Sequence, residues 1–512
     1  MPRPRPASTE TAAESALADE LRTVRPDLLC PYTDALPGAR AAVLTRLWRG
    51  LTLDPLPWIV RHEPGRDGLT LHLADGRRLH GPRPDPYATG PCVRELDLDG
   101  GIHDQPARLM TALGRGADTG EISGFAAELD HSVASLALSR AGQPSKEGAP
   151  AAGWEWEQRV VDGHPYHPNC RSRPGFSVAE QLAYAPEHRP VVELGLVPAG
   201  EDVLVRGEWP DRFRDGGRVL IPVHPWQSAH ILHRAVELPF PAHPLMSLRT
   251  LATPDGLHVK TALSTRLTSS VRDISVGSVR AARAVSDFGE SFAARTDGLL
   301  HITRTLGSAT AGSPDLAAVL REAPEVYAAP GERVVPVAAL AGTDLPQSAA
   351  WLAEFARLTL TVGLVLLDLG VALEAHGQNL LVVLSPAGAP LRLVYRDLAD
   401  IRVSPARLAR HGLPSPDLGT RMITDDVTTL RRKLFGSLIT GALGATAGAA
   451  PVLAEALHTV VRDLPRTPDL IAFENGPVPT KALTRMRLSP EPGDVWTAVP
   501  NPLDPRGPFA TL

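Results

Sequence analysis

The most apolar stretch of the chain runs from Leu358 to Leu384, and it is interrupted in a way that restricts what it can become. Asp368, Glu374 and His376 break the apolar run and Gly370 breaks its backbone, so a buried helix followed by a buried strand fits better than a membrane span. Periodicity places the helix over Ala349–Leu369 and the strand over Leu380–Leu384. A Pro-Ala-Gly-Ala-Pro turn then leads to a second strand, Arg392–Tyr395, and the hairpin returns the pair Arg396-Asp397. Between helix and strand lies the polar loop Glu374–Asn379, EAHGQN. Burying such groups unpaired costs about 1–3 kcal/mol each, so the loop reads as a site rather than a plain turn.

The remainder of the chain sets the context. Its 512 residues exceed one simple core, and two or three subdomains are expected. Fifty prolines and forty-four glycines imply many turns between periodic apolar segments. Lysine occurs only at Lys146, Lys260, Lys433 and Lys481. The net charge of -5 offers no basic stripe, which argues against a nucleic-acid partner and makes arginine clusters local anion sites. Cys30, Cys92 and Cys170 form no CxxC and are odd in number, so a disulfide framework is not expected and a reducing cytoplasm fits. The N-terminus, MPRPRPASTETAAE, has no apolar signal core; residues 1–11 read as a disordered tail, and no membrane association is expected.

Three regions follow. Residues 1–150 read as a mostly helical part, with helices near Ala12–Arg22, Ala39–Trp48, Ala107–Leu113 and Ile122–Ser139 and one hairpin turning at Asp75-Gly76. The linker Ala141–Gly153 ends it. Residues 151–345 read as a mixed α/β part with short strands at Val191–Leu194, Val219–Val223 and Leu257–Ala262. Residues 346–512 read as a third part with further helices at Val427–Leu443 and Ala450–Val461.

Four segments carry chemistry. In Gly163–Phe176, GHPYHPNCRSRPGF, prolines fix the backbone after His164 and His167, and Arg171 and Arg173 follow. Two histidines and two arginines suit a carboxylate or phosphate; no third ligand points to zinc. Pro222–Gln227, PVHPWQ, reads alone as a structural corner. Ser247, Arg249, Lys260, Thr268, Ser269 and Arg272 combine forked and point charges with hydroxyls, which suits a triphosphate. In the fourth, the loop Asn379 and post-hairpin Asp397 share the layout by which kinase-like phosphotransferases hold Mg²⁺ against ATP, with Glu374 as a third oxygen donor.

Taken in order, GHPYHPNCRSRPGF, VHPWQ, SLRT, KTALSTRLTSSVRD, EAHGQN, YRD and KALTRMRL resemble the NRPS-independent siderophore (NIS) synthetases, the IucA/IucC family. They span Gly163 to Leu488. The resemblance implies an α+β fold of three hand-like subdomains (fingers, palm, thumb) with a kinase-like palm, ATP and Mg²⁺ as cofactors, and a homodimer. It implies adenylation of a small polycarboxylate, of citrate, citrate-derivative, succinyl or 2-oxoglutarate type, and condensation with an amine or hydroxylamine. It places Ser247, Arg249, Lys260, Arg272 and His376 on the ATP phosphates, with Gln378, Asn379 and Asp397 at nucleotide or metal. His164, Thr268, Arg272 and Glu374 would line the carboxylate pocket. Relatives usually carry lysine where this chain has Arg171, a departure that bears on substrate choice. Arg272, His376 and Lys260 are the expected catalytic groups. The alternatives are a kinase-like small-molecule phosphotransferase and a non-catalytic carboxylate-binding relative.

Overall fold

The computed structural model of the chain describes residues 11–114, 119–144, 148–268, 270–489 and 493–504. The expected N-terminal tail and parts of the 141–153 linker lie outside these residues, as does Ser269.

The first region is built on helices Ala12–Val24, Leu29–Leu53, Pro106–Leu113 and Thr119–Ala141. Thr11 and Glu14 close a capping box on the first helix, satisfying its free N–H groups. Leu21, Leu44, Leu47, Trp48, Leu71, Phe125 and Val133 form one core. The expected hairpin is present as Leu69–Leu73 paired with Arg78–Gly81. It belongs to a larger sheet than one hairpin implies: five antiparallel strands, extended by Leu96–Leu98 and Gly101–His103. Asp99 and Gly100, with φ 50° and 86°, supply the extra tight turn.

The middle region carries a nine-stranded sheet. At its centre Leu257–Thr261 lies between Thr250–Ala252 and Ala317–Glu322, antiparallel to both. All five residues of Leu257–Thr261 are buried, so Lys260 is set on a rigid strand. A two-stranded arm, Leu263–Leu267 and Ser270–Arg272, follows it.

In the last region Ser348 caps helix Ala349–Leu369, and Gly370 ends it at φ 96°. The helix is long and apolar enough to cross a membrane, but Phe355, Leu360, Leu366 and Leu367 are sealed in the protein core. Strands Leu380–Leu384 and Pro390–Tyr395 form the expected hairpin. Their sheet is completed by Leu300–Ile302, parallel to Pro390–Tyr395, and by Arg333–Pro336. Two of its strands thus come from before residue 345. The expected helix over Val427–Leu443 is α-helical only to Phe435; Gly436–Gly444 winds as a π-helix.

The C-terminal segment returns to the first region. Thr484 and Arg485 donate their backbone N–H to Asp54 Oδ2 at 2.8 and 3.0 Å, and Arg487 Nε reaches Glu128 at 2.6 Å.

Candidate active site

The two chemistry-bearing halves meet in one cluster of charged side chains. Lys260 Nζ, on the central strand of the large sheet, donates to Asp397 Oδ2 at 2.6 Å. Arg321, on the neighbouring strand, donates to Asp397 Oδ1 at 3.1 Å. Arg249 donates to the carbonyls of Arg272 and Asp273, both at 2.6 Å, and so props the end of the arm. Arg272 in turn donates to Thr268 Oγ1 at 2.9 Å and to the Leu267 carbonyl at 3.0 Å. Ser247 Oγ accepts from Thr250 N–H at 3.2 Å, closing the turn that aims Arg249.

Four cations therefore surround one carboxylate. Burial pushes Lys260 down to about 7 against the pull of Asp397, and Arg321 and Arg249 add to the fall. Burial alone would raise Asp397, yet Arg321, Lys260 and Arg249 hold it well below the usual carboxylate range. Both partners thus shift downward, Lys260 chiefly through burial and Asp397 because its cations outweigh burial. Burial, then Arg272, bring Arg249 to about 10. Such an excess favours a polyanion.

The second end of the cluster is set by Glu374. Its Oε1 accepts from Lys481 at 2.8 Å and lies 3.0 Å from Lys433 Nζ. Lys433 is 2% exposed and also binds Asp400 at 2.5 Å; Lys481 also meets Asp494 at 3.0 Å. Burial opposes ionisation of Glu374, and Lys481, His376 and Lys433 overcome it and lower its pKa. Arg272 is within electrostatic reach of both Asp397 and Glu374.

His164 and His376 belong to the same cluster. His164 keeps solvent access, yet surrounding protein, then His167 and His376, hold its pKa well below the ordinary value. Burial likewise lowers His376. His376 Nδ1 accepts from Gln378 N–H at 3.2 Å, and His164 Nδ1 accepts from Tyr166 and His167 N–H at 3.2 Å. A neutral ring accepting at Nδ1 carries its proton on Nε2, so each histidine is a neutral donor. The π-helical turn backs this loop: Gly377 N–H donates to the Gly441 carbonyl, and a Cβ on Gly441 would sit 3.1 Å from His376 Cβ.

Glu157 ties the halves together. It accepts from Arg396 at 2.6 and 3.0 Å and from Met246 N–H at 3.1 Å. Arg396 also donates to the Gln378 carbonyl at 2.8 and 3.0 Å, and its N–H to the Asn379 carbonyl at 3.0 Å. One buried carboxylate thus fixes the turn before Ser247, the loop holding Gln378 and Asn379, and the residue before Asp397.

Arg171 and Arg173 do not line an anion pocket. Both are buried against Glu187, at 3.6 and 2.7 Å, and Arg171 also donates to the Val161 carbonyl at 2.8 Å. The proline-locked loop turns its arginines inward while leaving His164 in the cluster. His224 is a corner, as read alone: it is fully buried and its Nδ1 caps Trp226 N–H at 3.1 Å.

With this geometry in place, comparison with known proteins is informative. The model of the IucA / IucC family matches residues 153–342. These residues are similar to the IucA/IucC family. They hold His164, the Ser247–Arg272 cluster and Arg321. Residues 349–494 match the model described as ferric iron reductase FhuF-like transporter. The citryl-spermidine/3,4-dihydroxybenzoyl-citryl-spermidine:spermidine ligase of Bacillus anthracis is 24% identical over 314 residues, 48% of this chain and 51% of that protein. The rhizobactin siderophore biosynthesis protein RhbC of Rhizobium meliloti (strain 1021) is 28% identical over 319 residues, 47% of this chain and 53% of that protein. The chain thus aligns with about half the length of these curated relatives. In structure, the petrobactin biosynthesis protein AsbB from Bacillus anthracis str. Sterne superposes with TM-score 0.75 at 17% identity, covering 97% of this chain and 98% of that one. ATP-bound aerobactin synthetase IucA from Klebsiella pneumoniae gives 0.69 at 20% identity, covering 91% and 99%. The chain shares the α+β fold of these two structures.

Proposed function

We propose that the chain is an ATP-dependent ligase, a NIS synthetase, that adenylates a small polycarboxylate and passes the acyl group to an amine or hydroxylamine. The observation that carries this reading is the pairing of two charge environments in one cluster. A cation-rich wall around Asp397 suits a triphosphate, and a lysine-flanked end at Glu374 suits a carboxylate. Arg272, within electrostatic reach of both, would offset the repulsion when the two anions meet. The names of the relatives, ligases and synthetases acting on citrate derivatives, support the same reaction class.

A substrate carboxylate oxygen attacks the α-phosphorus of ATP; the new O–P bond forms as the bond to the β-phosphate oxygen breaks, and pyrophosphate leaves. The acceptor nitrogen then attacks the acyl carbon, the acyl–oxygen bond to AMP breaks, and the nitrogen loses a proton. Ser247, Arg249, Lys260, Arg272 and His376 would hold the phosphates, with Gln378 at the nucleotide. His164, Thr268, Arg272 and Glu374 would hold the acid. Preorganised donors of this kind are each worth about 10²–10³ in rate. The oxygens of Asp397 and Asn379 fit a Mg²⁺ on the phosphate side, where the ion would neutralise developing charge. Glu374 Oε1 is flanked by two lysines, a setting that favours its role in the acid pocket over one on the metal.

The reading includes a hand-like arrangement: a thumb over 1–150, fingers over 151–345 and a kinase-like palm over 346–512. It also includes a cytoplasmic homodimer. A kinase-like phosphotransferase shares the Asn379–Asp397 order, but EAHGQN has no Asp between His376 and Asn379 to act as its base. The test is Arg272→Ala. It abolishes carboxylate-dependent exchange of pyrophosphate into ATP while circular dichroism and Tm stay near wild type. Exchange near the wild-type rate sinks the assignment.

A further inference from the structure

Arg321 has no place in the motifs, yet it holds the same carboxylate as Lys260. It lies on Ala317–Glu322, antiparallel to the strand of Lys260, with Arg321 opposite His258 and Val319 opposite Lys260. Opposed and alternate residues share a face, so Arg321 sits diagonally from Lys260 on the Asp397 side of the sheet. Its side chain is 14% exposed, and Asp397 Oδ1 is the one partner recorded for its guanidinium among the described residues. Lys260 takes the other oxygen, Oδ2. Asp397 itself is held at φ 69°, a backbone conformation that a non-glycine residue keeps only when its surroundings enforce it.

The two clamps are not equivalent in use. If Lys260 swings to an incoming triphosphate, Asp397 loses a charge partner inside the protein. A carboxylate that loses one donor while its backbone sits at a strained positive φ is free to rotate out of place. A second cation on the opposite oxygen removes that difficulty. We propose that Arg321 is a positioning residue: it fixes Asp397 from Oδ1 so that Lys260 can be released to a polyphosphate while Asp397 keeps its place. This rests on the reading that the cation-rich wall binds ATP, and it goes beyond that reading by giving Arg321 a task exerted through Asp397 rather than on the nucleotide.

A double-mutant cycle tests it on the full chain, with Kd for ATP in Mg²⁺ by calorimetry, pyrophosphate exchange, and Tm on each variant. Arg321→Met should lower the exchange rate about 10- to 100-fold, and Arg321→Lys should restore part of it. In an Asp397→Asn background, Arg321→Met should change neither Kd nor exchange by more than about twofold, because the residue through which it acts is already neutral. Equal losses in the wild-type and Asp397→Asn backgrounds overturn the proposal, since Arg321 would then act on the ligand directly. Equal rates for Arg321→Met and wild type overturn it as well. ATP binding without carboxylate-dependent exchange defeats the ligase reading alone, because the Arg321–Asp397 coupling is still read in Kd. Absence of ATP binding by the wild-type chain defeats both.

Discussion

Lys260 Nζ and Asp397 Oδ2 lie 2.6 Å apart although 137 residues separate them in the chain. The contact joins the centre of the nine-stranded sheet to the end of the C-terminal hairpin. Replacing Lys260 with Met removes the proposed phosphate donor but leaves Arg321 on Asp397. We expect exchange to fall about 10²–10³-fold while Tm moves little. A large fall in Tm with unchanged exchange per folded molecule would make the contact structural.

Glu157 is the pin between the halves. Glu157→Gln leaves the Arg396 guanidinium buried without the carboxylate charge it pairs with. Breaking a buried pair of this kind costs about 3–5 kcal/mol, to be read as a lower urea midpoint. Exchange should fall as well, because Met246 and the residue before Asp397 lose their shared anchor. An unchanged midpoint would show that the pair contributes little.

Gly441 tests the backing of the His376 loop. A Cβ there meets His376 Cβ at 3.1 Å and His376 Cα at 3.6 Å, so Gly441→Val forces the loop outward. Overpacking of this sort costs about 1–3 kcal/mol. The measurable result is a higher KM for ATP from a residue that touches no substrate. Wild-type KM would place the histidine loop elsewhere in the working enzyme.

Acid stability reports on Glu187. Burial raises its pKa, but Arg171 and Arg173 outweigh that and hold it below the ordinary value. A depressed carboxylate contributes stability above its unfolded value, about 4.3, and loses it as pH falls through the folded value. Wild-type Tm should therefore drop on acidification below about pH 4, and Glu187→Gln should be destabilised most at neutral pH. Curves for the two proteins that stay parallel from pH 3 to 8 would contradict this.

The architecture was legible where the pattern was local. Ser348, the apolar period and Gly370 mark helix Ala349–Leu369, and the strands around the Pro386–Pro390 turn follow from an unbroken apolar run. Asp99-Gly100 is a local turn signal that joins two further strands of the five-stranded sheet, Leu96–Leu98 and Gly101–His103. Other features depend on partners far along the chain. Arg321, Glu157 and Lys433 sit in ordinary strand or helix patterns, and only the fold brings them to Asp397, Arg396 and Glu374. Arg171 and Arg173 misled for the same reason, since their partner Glu187 carries no motif. Nor does a sequence without glycine announce the positive φ of Leu248, Thr268 and Asp397, at 70°, 56° and 69°. Such conformations cost about 1–3 kcal/mol each and cluster at working sites.

The account stands or falls on which bond of ATP is broken. The direct measurement is product analysis with ATP, Mg²⁺, a panel of polycarboxylates and an amine or hydroxylamine. The account predicts AMP and pyrophosphate in equal amounts, dependent on the acid, with an amide of matching mass. ADP with a phosphorylated product would contradict it and assign the site to a phosphotransferase.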